Sequence, residues 1–235
     1  MTHILVILTR AWLAWATPSA TTQVTADVAV DKVQQFYANI KQVSALFRQE
    51  VTNNTFGSTK SSDGSVWLMK PGKMRWDYVA KKGSKVEVKK SFISNGKSLY
   101  VVEHDNKQVV KKNLQQDLMP VAVTFLYGQG DLKKDFNAAI DATTSYGAKG
   151  DIVLKLTPKQ PSAQYKNLYL VVSPKDFHVS QSVIVDSSSN VNHFRFFAPD
   201  FDSPIKDSWF EFNEKSLPTY HVMDADQAQG SAAKP

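Results

Sequence analysis

The chain contains 235 residues, carries a formal net charge of +6 and has no cysteine. The absence of cysteine excludes a disulfide scaffold, a thiolate metal site, a cysteine nucleophile and a lipid-modified cysteine. A chain of this length buries roughly 70% of the surface that its unfolded form exposes, so we expect a hydrophobic core to stabilise it. Its ten glycines and ten prolines are too few for a fibrous or disordered protein.

Positive charge is concentrated in one part of the sequence. Residues 70–115 contain twelve Lys or Arg and four Asp or Glu. The whole chain has only four arginines, which argues against nucleic acid as a partner. Two alternatives stay open: a solvated face, or a surface that attracts an acidic partner or anionic lipid.

The N-terminal segment 1–20 resembles a secretory signal sequence. It contains apolar runs at 4–8 and 12–16, with Arg10 between them, and ends in small residues. No other segment reaches the roughly 18 consecutive apolar residues of a membrane-spanning helix. We therefore expect an exported, soluble protein; a cytosolic protein with an unusual N-terminal segment is the alternative.

The first predicted element is a helix that starts near Asp27. Thr25 and Asp27 are suitable residues for its N-terminal cap. Apolar side chains recur there at intervals of three and four, which places them on one helix face: Val30, Val33, Phe36, Tyr37, Ile40, Val43 and Phe47. The end of the helix is ambiguous, because residues 45–51 also alternate as a strand does.

After Asn53 the apolar period changes to two, which predicts strands. These predicted strands cover residues 65–69, 74–79, 85–93, 98–103 and 108–114. The Asn-Gly pair at 95–96, flanked by alternating apolar residues, is a strong hairpin signal. Such short connections leave no room for crossover helices, so we predict an antiparallel meander.

A second helix is predicted over residues 120–127, which begin with proline and are followed by Gly128. Thr124 is its only polar residue, so core or ligand must cover the helix on nearly every side. A further helical turn is expected at 131–136. Strands then resume at 152–157, 165–173, 177–186, 191–197 and 208–213.

A search for catalytic or ligand-binding motifs finds little. The five histidines lack metal-ligand spacing, and no nucleophile elbow, phosphate-binding loop or dinucleotide-binding motif occurs. We therefore expect neither a metal nor a cofactor, and no enzymatic activity. An exported hydrolase would need dispersed residues that the fold brings together.

The apolar residues exceed what a sheet with one solvated face needs. One explanation is a well-filled half-barrel core that helices plug. The other is a curved sheet around an apolar cavity with the helices as its lid, the arrangement by which barrel-like folds hold lipophilic ligands.

Three blocks of sequence carry a resemblance to a known family. Residues 64–78 are Gly-Ser-Val-Trp-Leu-Met-Lys-Pro-Gly-Lys-Met-Arg-Trp-Asp-Tyr, a strand that turns at Pro-Gly and returns through Met-Arg-Trp. Residues 92–100 are Phe-Ile-Ser-Asn-Gly-Lys-Ser-Leu-Tyr, and residues 154–158 are Leu-Lys-Leu-Thr-Pro. Together these blocks resemble the periplasmic outer-membrane lipoprotein carriers of the LolA type.

The resemblance covers residues 27–222 and implies a mainly β fold with a few helices. The expected architecture is a strongly curved, incompletely closed antiparallel sheet, a half-barrel, with a helical lid over a hydrophobic cavity. Residues 43–53 would then form the first strand. Residues 224–235 are expected to be a disordered polar tail.

The resemblance also implies a function. The chain would be a periplasmic monomer that shields the acyl chains of triacylated lipoproteins between the inner and the outer membrane. The inner-membrane lipoprotein-releasing complex would be its donor and an outer-membrane lipoprotein acceptor its recipient; nucleic acid is not an expected partner. Alternatives are an acceptor of the same fold, which would lack its lipidated cysteine here, a lipid-sensing regulatory domain, and a purely structural sheet module.

The apolar pattern and the family resemblance together predict which residues line the cavity and which latch the lid. The residues expected to line the acyl-chain cavity are Phe36, Tyr37, Ile40, Phe47, Trp67, Met69, Trp76, Tyr78, Phe92, Leu99, Leu118, Met119, Phe125 and Leu126. The family usually has arginine before the proline of the Pro-Gly turn, where it helps to latch the lid, and this chain has Lys70. Lysine lacks the planar fork of a guanidinium, so Lys70 and Arg75 are both candidates for the latch.

Overall fold

The computed structural model describes residues 24–113, 130–143, 146–162 and 165–226. Two α-helices lie in these ranges, α1 (Ala26–Asn39) and α2 (Leu132–Asp135). The strands are β1 (Gln42–Asn53), β2 (Ser58–Met69), β3 (Lys73–Lys82), β4 (Lys85–Asn95), β5 (Ser98–Glu103), β6 (Gln108–Asn113), β7 (Phe136–Ile140), β8 (Ile152–Pro158), β9 (Asn167–Val172), β10 (Val179–Val185), β11 (Val191–Asp200) and β12 (His221–Asp224). Within the described residues, no helix is long and apolar enough to cross a membrane.

Helix α1 is short because two local signals bound it. Thr25 Oγ1 accepts a hydrogen bond from the backbone N–H of Val28 at 3.4 Å, which caps the first turn. At the other end Ile40 adopts extended dihedrals, and β1 starts two residues later. The ambiguous stretch 45–51 is therefore strand, as the family resemblance implies.

The twelve strands form one open, curved sheet in the order β12-β6-β5-β4-β3-β2-β1-β11-β10-β9-β8-β7. It consists of two antiparallel meanders joined where β1 pairs with β11. The predicted half-barrel of antiparallel strands is confirmed. One pair departs from it, because β12 runs parallel to β6.

Each strand contributes one set of side chains to the concave face and the alternate set to the convex face. On β2, Val66 and Leu68 join the large concave core, whereas Trp67 points to the other side and packs on Trp209, with ring centroids 4.9 Å apart. A smaller core on the convex face is built around Ile93, Val102 and Val109. Both faces of the first meander are therefore partly buried.

The chain after β11 covers this convex core. Residues 208–213 do not form the predicted strand; Asp207–Phe210 is a 3-10 helix that packs against β3 and β4, and Glu214–Ser216 is another. Phe210 is fully buried there. One side of this segment is buried, which explains its apolar pattern. Among the described residues no free strand edge lies beside it, so it does not pair as a strand. The edge of β6 is instead paired by β12, which the sequence analysis missed along with β7.

At Gly64 the backbone of β2 lies very close to β3 and to the ring of Phe47. A Cβ atom at this position would lie 2.2 Å from the Asp77 carbonyl oxygen and 2.5 Å from Cζ of Phe47. The Phe47 ring therefore lies over the glycine of the strand opposite, where Phe47 and Gly64 are register partners. No other residue fits there without displacing the ring or β3.

We expect Gly64→Ala to lower the free energy of unfolding by about 1–3 kcal/mol, because the added methyl group overpacks the core. Ser61→Ala, on the exposed half of the same strand, is the matched control and should change it by less than about 0.5 kcal/mol. Chemical denaturation of both variants measures the difference. An equal effect of the two substitutions would contradict the close packing of Phe47 on Gly64.

Candidate binding interior

A cluster of aromatic rings forms the centre of the concave face. Phe47, Trp76, Tyr78 and Phe194 come from three different parts of the sheet, β1, β3 and β11, and Phe196 extends the cluster along β11. The Phe47 ring centroid lies 5.0 Å from that of Trp76, 5.0 Å from that of Tyr78 and 6.0 Å from that of Phe194. Most contacts are edge-to-face, the arrangement that aromatic quadrupoles favour.

This interior offers apolar area and few hydrogen bonds. Burial raises the pKa of the Tyr78 hydroxyl to about 12. The indole Nε1 of Trp76 is buried, and it finds no hydrogen-bond partner within the part of the chain that the structure describes. Apolar ring contacts therefore predominate among the described residues of this interior.

Helix α1 packs on the concave face of the sheet near β7 and β8. Val30 and Val33 are fully buried against the sheet, and Tyr37 is 4% exposed. The Tyr37 hydroxyl accepts a hydrogen bond from the backbone N–H of Val179 at 3.0 Å, and burial raises the pKa of this hydroxyl. On the outer side, Asp31 forms a salt bridge with Lys133 of α2, with 2.6 Å between Oδ1 and Nζ.

A small cleft opens between the C-terminal half of α1 and the sheet. Its walls are apolar, and the residues that line it are Tyr37, Val43, Ala45, Val66, Leu68, Val179, Phe196, Pro199 and Phe201. The cleft has a volume of about 30 Å³, which leaves room for only a few water molecules. An acyl chain needs far more space, so it can enter here only if α1 or the surrounding side chains move.

Lys70 holds the C-terminal end of α1. Its Nζ donates hydrogen bonds to the carbonyl oxygens of Tyr37 and Ala38, the second at 3.2 Å. These carbonyls lie at the negative end of the helix dipole, and α1 has no basic residue of its own in its last turn. Partial burial lowers the pKa of the Lys70 ammonium. Lys70 thus joins the turn after β2 to the helix in the interior.

Arg75 lies on the opposite, convex face. Its Nε donates to the Asp77 carboxylate at 2.9 Å, and its Nη1 donates to the Trp209 carbonyl at 3.4 Å. The guanidinium carbon is 5.9 Å from the centroid of the Trp209 ring. Arg75 therefore anchors the C-terminal segment to β3. Contacts of either latch candidate with residues 120–128 lie outside the described residues.

The structure brings together most of the described residues that we expected to line the cavity. Those on the concave side are Phe36, Tyr37, Ile40, Phe47, Trp76, Tyr78, Phe92 and Leu99. Trp67 and Met69 are corrected: they lie on the convex side, because they alternate with Val66 and Leu68 along β2. The remaining four, Leu118, Met119, Phe125 and Leu126, fall outside the described residues.

Sequence reasoning did not assign several interior residues to the site. Val66 and Leu68 were missed because both alternating sets of β2 are apolar, so periodicity alone cannot tell which set faces inward. Phe201 was missed because it follows β11 in a turn. Its ring centroid nevertheless lies 5.1 Å from that of Phe36, at the rim of the cleft.

A half-barrel whose concave face is apolar and plugged by a helix defines a class of proteins that bind apolar molecules. The family model described as outer membrane lipoprotein carrier protein LolA matches residues 38–213, and the chain belongs to this family. An outer-membrane lipoprotein carrier protein from Cupriavidus pinatubonensis is 28% identical over 167 residues, which cover 69% of this chain and 73% of the relative. A protein of the same description from Dechloromonas aromatica is 24% identical over 184 residues, or 78% of this chain and 83% of the relative.

A solved structure supports the fold. The crystal structure of an uncharacterized conserved protein from Thermus thermophilus superposes with a TM-score of 0.51 at 11% sequence identity. The alignment covers 85% of this chain and 98% of that one. At this identity, the likeness concerns the fold alone.

We expect Lys70→Leu to lower the free energy of unfolding by about 1–2 kcal/mol, because the last carbonyls of α1 lose a charged donor. Lys70→Arg should restore most of this loss, since a guanidinium also donates to carbonyls. Lys41→Leu, an exposed cation at the same end of the sheet, serves as the control. A Lys70→Leu protein as stable as the control would show that the contact with α1 contributes nothing.

Proposed function

We propose that this protein is a periplasmic carrier that holds the acyl chains of triacylated lipoproteins inside the concave face of the sheet. It would receive them from an inner-membrane lipoprotein-releasing complex and deliver them to an outer-membrane acceptor, acting as a monomer. The observation that carries the proposal is the continuous apolar interior, covered in part by α1 and centred on the aromatic cluster of β1, β3 and β11. A carrier of this kind catalyses no reaction and needs no cofactor.

The free-energy cost of exposing acyl chains to water is large. An acyl chain of about 16 carbons costs roughly 12 kcal/mol to hold in water at about 0.8 kcal/mol per methylene, and three chains cost roughly 35 kcal/mol. A lipoprotein therefore requires a protein that shields its chains in an aqueous compartment. Broad apolar contact suits this task, because it accepts chains of differing length and releases them without breaking specific hydrogen bonds.

Loading requires that the filled interior opens at modest cost. In the described residues four polar contacts tie α1 to the rest of the protein: the Tyr37 hydroxyl with Val179, the Lys70 ammonium with the last carbonyls of the helix, and two contacts of Lys133, whose ammonium pairs with Asp31 and whose backbone N–H donates to Gln34 Oε1. Each is worth about 1–3 kcal/mol or less. Cargo that replaces the apolar contacts of α1 can then shift the protein from a closed to an open state.

The signal-like segment 1–20 supports a periplasmic location. The excess of lysine in residues 70–115 supports association with acidic surfaces during loading or delivery. The predicted helix at residues 120–127 stays a candidate part of the lid, since Thr124 is its only polar residue and core or ligand must cover the others.

Native mass spectrometry with a triacylated lipopeptide tests the proposal. We expect one lipopeptide to bind each monomer, and we expect the loaded protein to pass it to an outer-membrane acceptor. A deacylated peptide of the same sequence is the control and should not bind. A protein that stays empty with the triacylated lipopeptide, or binds both peptides equally, would contradict the carrier function.

We expect Phe201→Glu to weaken binding of an environment-sensitive apolar dye by about tenfold, because a carboxylate at the rim of the cleft must lose water when the dye enters. The matched control is Phe197→Glu, since Phe197 is 48% exposed on β11 and lies outside the cleft. Dye fluorescence titration measures both. Equal weakening by the two variants would mean that the dye does not enter at the cleft.

A further inference from the structure

The turn between β1 and β2 exposes an aromatic side chain. Phe56 is 80% exposed, more than any other large apolar residue that the structure describes as exposed. Its neighbours in the turn, 54–57, are two polar residues and a glycine, so no apolar surface of the protein covers it. Transfer of this exposed ring from water to an apolar environment would be favourable.

Hydrogen bonds hold this turn in place. The backbone N–H of Phe56 donates to Asn53 Oδ1 at 3.1 Å. The backbone N–H of Asn54 donates to Asn190 Oδ1 at 3.0 Å, which ties the turn to the loop between β10 and β11. Gly57 completes it with a positive φ of 61°. These contacts fix the backbone of the turn that carries Phe56.

The hairpin of β3 and β4 ends at the same end of the sheet as this tip and is basic. β2 and β3 pair as far as Asp63 and Val79, and Lys60 and Lys82 lie three residues further along their strands, at the same end of the sheet. Lys85 and Val86 begin β4 after the turn, and Val86 is 62% exposed.

Charge at the two tips is almost entirely positive. Residues 54–62 and 80–88 contain four lysines, at positions 60, 81, 82 and 85, and one acid, Glu87. Glu87 lies 4.0 Å from Lys82 and 3.6 Å from Lys89, so the two tips together keep an excess of three positive charges. Asp63, just below the tip, is engaged by Arg48 in two hydrogen bonds of 2.7 and 2.9 Å.

We propose that these two tips form a membrane-contact site for bilayers that contain anionic phospholipid. Phe56 and Val86 would enter the interfacial region while Lys60, Lys81, Lys82 and Lys85 bind the headgroups. Aromatic residues favour the headgroup level of a bilayer, and basic residues near an anionic surface strengthen the attachment. The site does not depend on bound cargo, and it would place one end of the half-barrel against a membrane.

The shape of the site favours lipid over an acidic protein. Stable protein interfaces bury about 800 Å² on each partner, usually over a continuous surface. Two narrow hairpin tips with a protruding ring offer much less contact area than that. A bilayer surface instead accepts isolated apolar side chains and spreads anionic charge around them.

Sedimentation with vesicles tests the proposal. The full protein should bind vesicles of phosphatidylglycerol and phosphatidylethanolamine and should bind phosphatidylcholine vesicles much more weakly. Phe56→Ser and the double variant Lys81→Glu/Lys85→Glu should each weaken binding to the anionic vesicles by about tenfold or more. High salt should abolish most of the binding of wild-type protein, because the lysine contribution is screened.

Matched controls lie elsewhere on the surface. Phe197→Ser removes an exposed aromatic residue from β11, and Lys97→Glu/Lys149→Glu reverses two exposed lysines at turns on the opposite end of the sheet. Both controls should bind vesicles as wild type does. Failure of wild-type protein to bind anionic vesicles, or equal loss in tip and control variants, would overturn the membrane-contact site. Loss of transfer to a protein acceptor in tip variants, with vesicle binding unchanged, would overturn it in favour of an acidic protein partner.

Discussion

The packing of Phe47 over Gly64 is the contact on which the rest of the structure depends. β1 is the one strand that belongs to both meanders, since it pairs with β2 along its whole length and with β11 along most of it. Phe47 projects from its middle and contacts rings from β3 and β11. Because the strand opposite has no side chain at Gly64, the ring can lie against the sheet. The two halves of the molecule thereby share one concave core.

That core creates opposing demands on a carrier. A protein without disulfides must bury enough apolar surface to stay folded, yet a carrier must also expose apolar surface to its cargo. The structure separates the two demands. The convex core around Val102 and Val109 lies on the other face of the sheet, where the C-terminal segment covers it and Arg75 donates to the Trp209 carbonyl. The concave core is covered in part by α1, and under the proposed function cargo would replace the apolar contacts of this helix.

Periodicity and turn chemistry predicted much of this fold. The Asn-Gly hairpin and the period of two located most of the first meander, and the family resemblance resolved where α1 ends. Prediction was poorer where both faces of a strand are buried: Trp67 and Val66 are equally apolar, and only the packing of the C-terminal segment against Trp67 decides which faces inward. The same segment carried an apolar pattern at 208–213 but lacks a free strand edge. The contact of Lys70 with α1 depends on tertiary proximity, which no local pattern contains.

The central claim is that acyl chains bind on the concave face, and the tryptophans allow a direct test. Trp76 lies in the concave core, whereas Trp67 lies on the convex face against Trp209. Two proteins, each with a single tryptophan at position 76 or at position 67 and phenylalanine at the other tryptophan positions, can be titrated with a lipopeptide brominated on its acyl chains. The account predicts strong quenching of Trp76 fluorescence and little quenching of Trp67. Quenching of Trp67 with Trp76 unaffected would contradict it.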